Sequence, residues 1–161
     1  MKPIAEFNFV TTWRITAPLP QVCDTISKST DWPKWWCNVE KVAELEAGDT
    51  RGIGRRLRFT WKSRLLYRLT FDVCVTHIEP FKLLQGQACG DLEGTGRWHF
   101  AYASPETIVR YEWSVRSTRR WINLLSPIAR PIFKWNHDQV MRQGAEGLAW
   151  YLNAPSKGMS D

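Results

Sequence analysis

Residues 121–153, WINLLSPIARPIFKWNHDQVMRQGAEGLAWYLN, form the single long helical pattern in a chain otherwise built of short alternating stretches. At about 100° per residue from Phe133, the positions Phe133, His137, Val140, Met141, Gly144, Leu148, Tyr151 and Leu152 share one face. Asp138, Gln139, Arg142, Glu146 and Asn153 lie opposite. A helix of this length holds mainly through what it packs on, so the strands before it are expected to form the sheet that covers its apolar face. Pro127 and Pro131 cannot both sit in one unbroken α-helix, which predicts a lead-in over 121–129 and a long helix starting near Pro131. Pro155 is expected to end the helix and the polar residues 156–161 to be disordered, which bounds a single domain at 1–154 and a tail at 155–161.

Upstream, the period is two. Residues 5–15 place Phe7, Phe9, Trp13 and Ile15 on one side of a first strand, and Pro18 and Pro20 stop it. Val22 and Ile26 mark a short helix, and Asp31-Trp32-Pro33-Lys34-Trp35-Trp36 reads as a second capped turn. Six more strands follow, over about 38–45, 52–62, 67–78, 83–89, 94–102 and 107–117. Their inward sides carry Leu57, Phe59 and Trp61; Tyr67, Leu69, Phe71, Val73 and Val75; Trp98, Phe100 and Tyr102; and Val109, Tyr111, Trp113 and Val115. Arg56, Arg58, Arg68 and Asp72 fall on the other side, as an exposed sheet face requires.

The 161 residues suit one domain. No stretch approaches the roughly 18 apolar residues of a membrane span and no signal-peptide core follows Met1, so a cytoplasmic location is expected. The four cysteines lack CxxC spacing and read as reduced, mostly buried thiols. The net charge of +6 is spread over alternating strand positions instead of a block, which fits a solvated sheet face better than nucleic acid. Ten tryptophans are too many for a small solid centre and point to a shared interior that many of them line.

The order strand, two small helices, six strands and a long last helix resembles the START-like (SRPBCC) superfamily, in particular its polyketide cyclase/dehydrase-like branch. The likeness is carried also by Trp13-Arg14-Ile15-Thr16-Ala17-Pro18, Trp32-Pro33-Lys34-Trp35-Trp36, the Gly90–Trp98 tract and Trp135-Asn136-His137. It implies an α+β helix-grip fold, with a seven-stranded curved antiparallel sheet wrapped around the last helix and a deep pocket between them. A common fold does not imply a common reaction, and the superfamily includes cyclases, lipid and quinone carriers, receptors and ring-hydroxylase subunits.

Candidate ligand-lining residues are Phe59, Trp61, Tyr67, Phe71, Trp98, Phe100, Trp113, Phe133, Val140, Met141 and Gly144. Gly144 and Gly147 each cost about 1 kcal/mol relative to alanine in a helix, which either opens a pocket wall or lets the helix approach its neighbours closely. His137 sits in the apolar stripe with Asn136 on its edge. It is either a satisfied core histidine or a proton carrier for a carbonyl-bearing ligand, with Asn136 or Tyr111 donating to the oxygen. His77 is expected at the rim or surface and His99 in solvent. No metal, nucleotide or serine-nucleophile motif is present, so no cofactor is expected. The cyclase branch would imply polar pocket groups, often arginine, tyrosine and asparagine, and here the strand arginines point outward.

The leading expectation is a protein that binds a hydrophobic small molecule, polyketide-like, aromatic or lipid-like. A cyclase, aromatase or dehydrase using His137 and tyrosine hydroxyls is the enzymatic alternative. A peripheral-membrane lipid or quinone carrier is a third, with Lys34-Trp35-Trp36 and Arg119-Arg120-Trp121 at the headgroups.

Overall fold

Alternation of apolar and charged side chains resolves into seven long strands. These are β1 (Glu6–Ile15), β2 (Val39–Glu46), β3 (Arg56–Lys62), β4 (Arg68–Glu79), β5 (Leu83–Gly90), β6 (Leu92–Ala103) and β7 (Glu106–Ser117). A helix α1 (Leu19–Ser27) and a 3-10 turn (Ser29–Lys34) follow β1, and a helix α2 (Arg120–Tyr151) closes the chain. The computed structural model describes residues 5–63, 65, 67–153 and 156–160. The sheet is antiparallel in the order β2-β3-β4-β5-β6-β7-β1, the meander with its first strand returned beside its last that a helix-grip fold requires.

Inward parity holds across this register. Phe59 pairs with Phe71, Trp98 with Tyr111, and Phe9 with Trp113, so the rings stack in rows on the concave face. On the convex face arginines meet carboxylates across strands, Arg58 with Asp72 at 2.8 Å, Arg68 with Glu40 at 2.7 Å and Arg116 with Glu93 at 2.8 Å, and along β7 Arg110 meets Glu112 at 2.9 Å. Exposed pairs of this kind contribute little each, but they neutralise the alternating cations of the sheet.

Several expectations are corrected. Helix α2 runs unbroken through Pro127 and Pro131 instead of starting after a lead-in. The two prolines lie one turn apart and both are exposed, so the carbonyls that lose their partners fall on a solvated side. Residues 156–160, expected to be disordered, form a short strand β8 that pairs antiparallel with the open edge of β1 at Thr12, Arg14 and Ile15. An unpaired edge is a ready template for such pairing. Pro155, expected to stop the helix, lies outside the described residues. Tyr102 and Tyr151, assigned to inward faces, are 53% and 40% exposed because each sits where its element runs past the covered region. His77, expected at the rim or surface, is exposed beyond a register shift after Val75, and its Nε2 lies 3.1 Å from Glu79 Oε1. Of the four cysteines, all free, Cys37 and Cys89 are exposed and Cys74 is half-buried; only Cys23 is buried, which pushes its thiol pKa up to about 12.

The long helix is fixed by an indole stack. Trp36 donates its Nε1–H to the Val140 carbonyl at 2.9 Å, and a Cβ on Gly144 would stand 2.5 Å from Trp36 Cε2. A Cβ on Gly147 would overlap the Trp35 carbonyl oxygen. Both glycines therefore serve close approach of α2 to the residues after the 3-10 turn. Trp32 Nε1 donates to the Ile26 carbonyl at 2.9 Å, which anchors the same turn on α1.

Candidate functional site

The concave rings do not fill all the space under α2. A cavity of about 140 Å3 lies between them, lined by Phe7 and Phe9 of β1, Trp32 and Trp36, Trp61, Tyr67, Leu69 and Phe71, Trp98, Tyr111 and Trp113, and Phe133, Asn136, His137, Val140 and Met141 of α2. Lys62 and Ser63 line the end nearest the β3–β4 turn, and Lys62 is exposed, so that end faces solvent. A smaller chamber of about 70 Å3 lies beyond, lined by Phe59, Leu57, Val73, Leu84 and Gly96 among others. Trp32, Trp61, Phe71, Trp98, Tyr111 and Trp113 line both and form the partition.

Of the residues proposed to line a ligand site, Trp61, Tyr67, Phe71, Trp98, Trp113, Phe133, Val140 and Met141 converge on the main cavity. Phe59 faces the smaller chamber. Phe100 lies in the packed core and lines neither, and Gly144 is covered by Trp36. Phe7, Phe9, Trp32, Trp36 and Ser63 were not anticipated. Inward parity of β1 already marked Phe7 and Phe9, whereas Ser63 sits in a turn where no periodicity speaks. The Trp35-Trp36 pair, which only the carrier alternative placed at lipid headgroups, is internal, at 4% and 1% exposure, and Trp121 packs edge-on against Tyr67 at 5.2 Å.

The polar groups are few. Asn136 is buried and donates from Nδ2 to the Tyr67 hydroxyl at 3.3 Å, and Ser63 also bonds that hydroxyl. Burial raises the Tyr67 pKa, with both bonds opposing, so the phenol stays protonated at neutral pH. Tyr111 stacks on Trp98 at 4.0 Å, and its hydroxyl lies over the bare Cα of Gly96, where a Cβ would come within 3.0 Å of it. Desolvation pushes its pKa well above the usual phenol range. His137 stacks on Phe9 with ring centroids 3.9 Å apart. Burial pushes its pKa down to about 4, against a smaller opposing pull from Asp138. Nδ1 lies 3.7 Å from Asp138 Oδ1, too far for a hydrogen bond, and neither ring nitrogen has a hydrogen-bond partner among the described residues. The site thus combines apolar walls with a neutral imidazole and two protonated phenols. Among the described residues, no three His, Cys, Asp or Glu side chains converge as metal ligands would.

A family model described as polyketide cyclase/dehydrase and lipid transport matches residues 6–152. No curated protein matches the sequence. Among solved structures, the di-domain ARO/CYC BexL of the BE-7585A biosynthetic pathway is 20% identical with a TM-score of 0.67, covering 93% of this chain and 51% of that one. This chain therefore spans about half the length of BexL. The Zhui aromatase/cyclase of Streptomyces sp. R1128 is 12% identical with a TM-score of 0.72, covering 92% and 94% of the two chains. A START superfamily protein of Mycobacterium smegmatis is 14% identical with a TM-score of 0.71, covering 91% and 97%. At such identities the likeness speaks for the fold.

Proposed function

The chain belongs to the polyketide cyclase/dehydrase and lipid-transport family and has its START-like fold, and from that premise we propose that the cavity under α2 binds a compact, ring-bearing apolar molecule with one or two hydrogen-bonding groups. The observation that supports this reading most is the size and lining of the cavity. An apolar cavity of about 150 Å3 is known to stay dry and to accept benzene, whereas drug-sized ligands need roughly 300–1,000 Å3. At about 140 Å3 the chamber suits one aromatic ring. A folded polyketide chain would need the ring partition to swing aside and join the second chamber.

Polar selectivity falls to His137 and to the Asn136–Tyr67 pair. An imidazole with both nitrogens unpartnered is a latent hydrogen-bond site, since leaving such a buried group unmade costs about 1–3 kcal/mol that a guest hydroxyl or carbonyl would recover. Binding is favoured over proton transfer as the resting property. A base works best with a pKa near the operating pH, and His137 at about 4 is too weak a base for that. The cyclase, aromatase or dehydrase reading keeps one support, the neutral imidazole beside protonated phenols, and requires a guest whose negative charge raises the His137 pKa.

The test is titration of tryptophan fluorescence with phenol and naphthol against wild type and Val140→Trp. Saturable quenching that Val140→Trp abolishes, with the melting curve kept, supports the reading. Absence of saturable quenching in the wild type overturns it.

A further inference from the structure

The first half of α2 is apolar on two sides. Leu124, Leu125, Ile128, Ile132 and Trp135 are 75%, 47%, 85%, 51% and 46% exposed. At about 100° per residue they fall within an arc of roughly 100°, centred opposite the face that carries Phe133, His137, Val140 and Met141. Scattered single apolar residues on a surface need no explanation, but five in one stripe do.

The spacing within the stripe is that of a helix seam. Leu125, Ile128, Ile132 and Trp135 follow one another at intervals of three, four and three, the repeat by which one helix interdigitates with another. This pattern complements itself when a second α2 runs antiparallel to the first. About a two-fold axis level with residue 130, Ile128 meets the partner's Ile132 and Leu125 meets the partner's Trp135, each contact occurring twice.

Charges at the rim obey the same symmetry. Arg120 and Asp138 both lie about 80° from Ile128 on the wheel, along the same edge of the stripe. A two-fold axis across the helix pair keeps that edge on one side, so each Arg120 comes beside the partner's Asp138, offset by about 3 Å along the axis, which an arginine side chain spans. Arg120 has no ion-pair partner among the described residues. Asp138 holds Lys134 through Oδ2 at 2.8 Å, which leaves Oδ1, 3.7 Å from His137 Nδ1, able to accept from a second cation. A parallel pair would instead set Arg120 against Arg120.

We propose that the chain forms a two-fold dimer through this seam, α2 antiparallel against α2, with Arg120 of each copy on Asp138 of the other. These five residues expose on the order of 600 Å2, so the pair would bury about 1,200 Å2, the lower limit of stable interfaces. The dimer is therefore of modest strength, with a Kd on the order of 10 µM. The proposal does not depend on what the cavity holds.

The test is sedimentation equilibrium of the whole chain from about 1 to 200 µM, a range that brackets such a Kd. The variants are Ile128→Ser/Ile132→Ser, the single exchanges Arg120→Asp and Asp138→Arg, the two exchanges combined, and Val10→Ser as a control at a half-exposed strand position away from the seam. The wild type and Val10→Ser are expected to double in mass across the range, and the serine pair to stay monomeric. Each single exchange should weaken association roughly three- to tenfold, and the combined exchange should restore it to within about twofold of the wild type. Melting curves check that the serine pair stays folded; both of its sites are solvated, and the charge exchanges give an independent reading. A chain that remains monomeric at the highest concentration overturns the proposal, whether or not it floats with lipid vesicles. So does a dimer that survives the serine pair, and so does one that the combined exchange fails to restore, since that would break the antiparallel register.

Discussion

His137 is the residue whose surroundings decide most. Burial holds its pKa near 4, against about 6.5 in an unfolded chain, so between those values the unfolded state takes up the proton and the folded state does not. Stability is therefore full above about pH 6.5 and falls on acidification until about pH 4, by up to about 3 kcal/mol over the window. Urea unfolding midpoints measured from pH 7.5 to 4 (about one-unit steps) should fall less steeply in His137→Phe, which keeps the stack on Phe9 but has no proton to gain. Equal slopes would mean the imidazole is solvated. Gly147 gives a second check at this scale. Alanine there would gain about 1 kcal/mol of helix propensity, but its Cβ would overlap the Trp35 carbonyl, and backbone cannot step aside as a side chain can. Gly147→Ala should cost about 2–4 kcal/mol in urea unfolding, whereas an unchanged midpoint would show that α2 sits farther from Trp35. The sequence marked both residues and left both readings open. Parity and the helical wheel state which side a residue faces, not whether that side meets a ring, a carbonyl or a void.

At the scale of elements, legibility depended on whether the local rule and the packing agreed. The strands were readable because rings such as Phe71, Trp98 and Trp113 alternate with charges, and burial of one face fixes the register. The break expected at Pro127 and Pro131 is absent because the lost hydrogen bonds fall on an exposed side of α2. Those prolines still carry a cost. Alanine at position 131 should gain about 3 kcal/mol in helix terms and lose about 1 in unfolded-state entropy, so Pro131→Ala should stabilise by about 2 kcal/mol. Thermal or urea unfolding measures this, and a destabilised variant would mean that the proline ring adds more at this position than helix propensity takes away. Trp35 and Trp36 show the opposite failure. Basic residues beside indoles suit a headgroup layer, yet these indoles are the seat on which Gly144 and Gly147 rest. The apolar side chains of α2 that are exposed, Leu124, Leu125, Ile128, Ile132 and Trp135 among them, lie elsewhere on the helix, and a reading of its buried face alone does not reveal them.

For the whole molecule, ten tryptophans are reconciled with 161 residues by using rings as walls. Six of them are buried, and four of these, Trp32, Trp36, Trp98 and Trp113, line a chamber in a mixture of tilted, stacked and edge-on contacts instead of meeting at one centre. Between sheet and helix the bulky rings of this chain leave about 140 Å3, with a separate 70 Å3 beyond. The proposed ligand-binding role predicts size selection from those volumes: one-ring guests fit as the walls stand, and larger ones must displace the Trp61, Trp98 and Tyr111 partition. The direct observation is a crystal soaked with bromobenzene and measured at the bromine absorption edge. An anomalous peak between Trp36, Phe133 and Met141 in the wild type is the result expected here. A saturating soak that leaves that space without bromine, or places it only on the surface, would contradict the existence of a binding chamber.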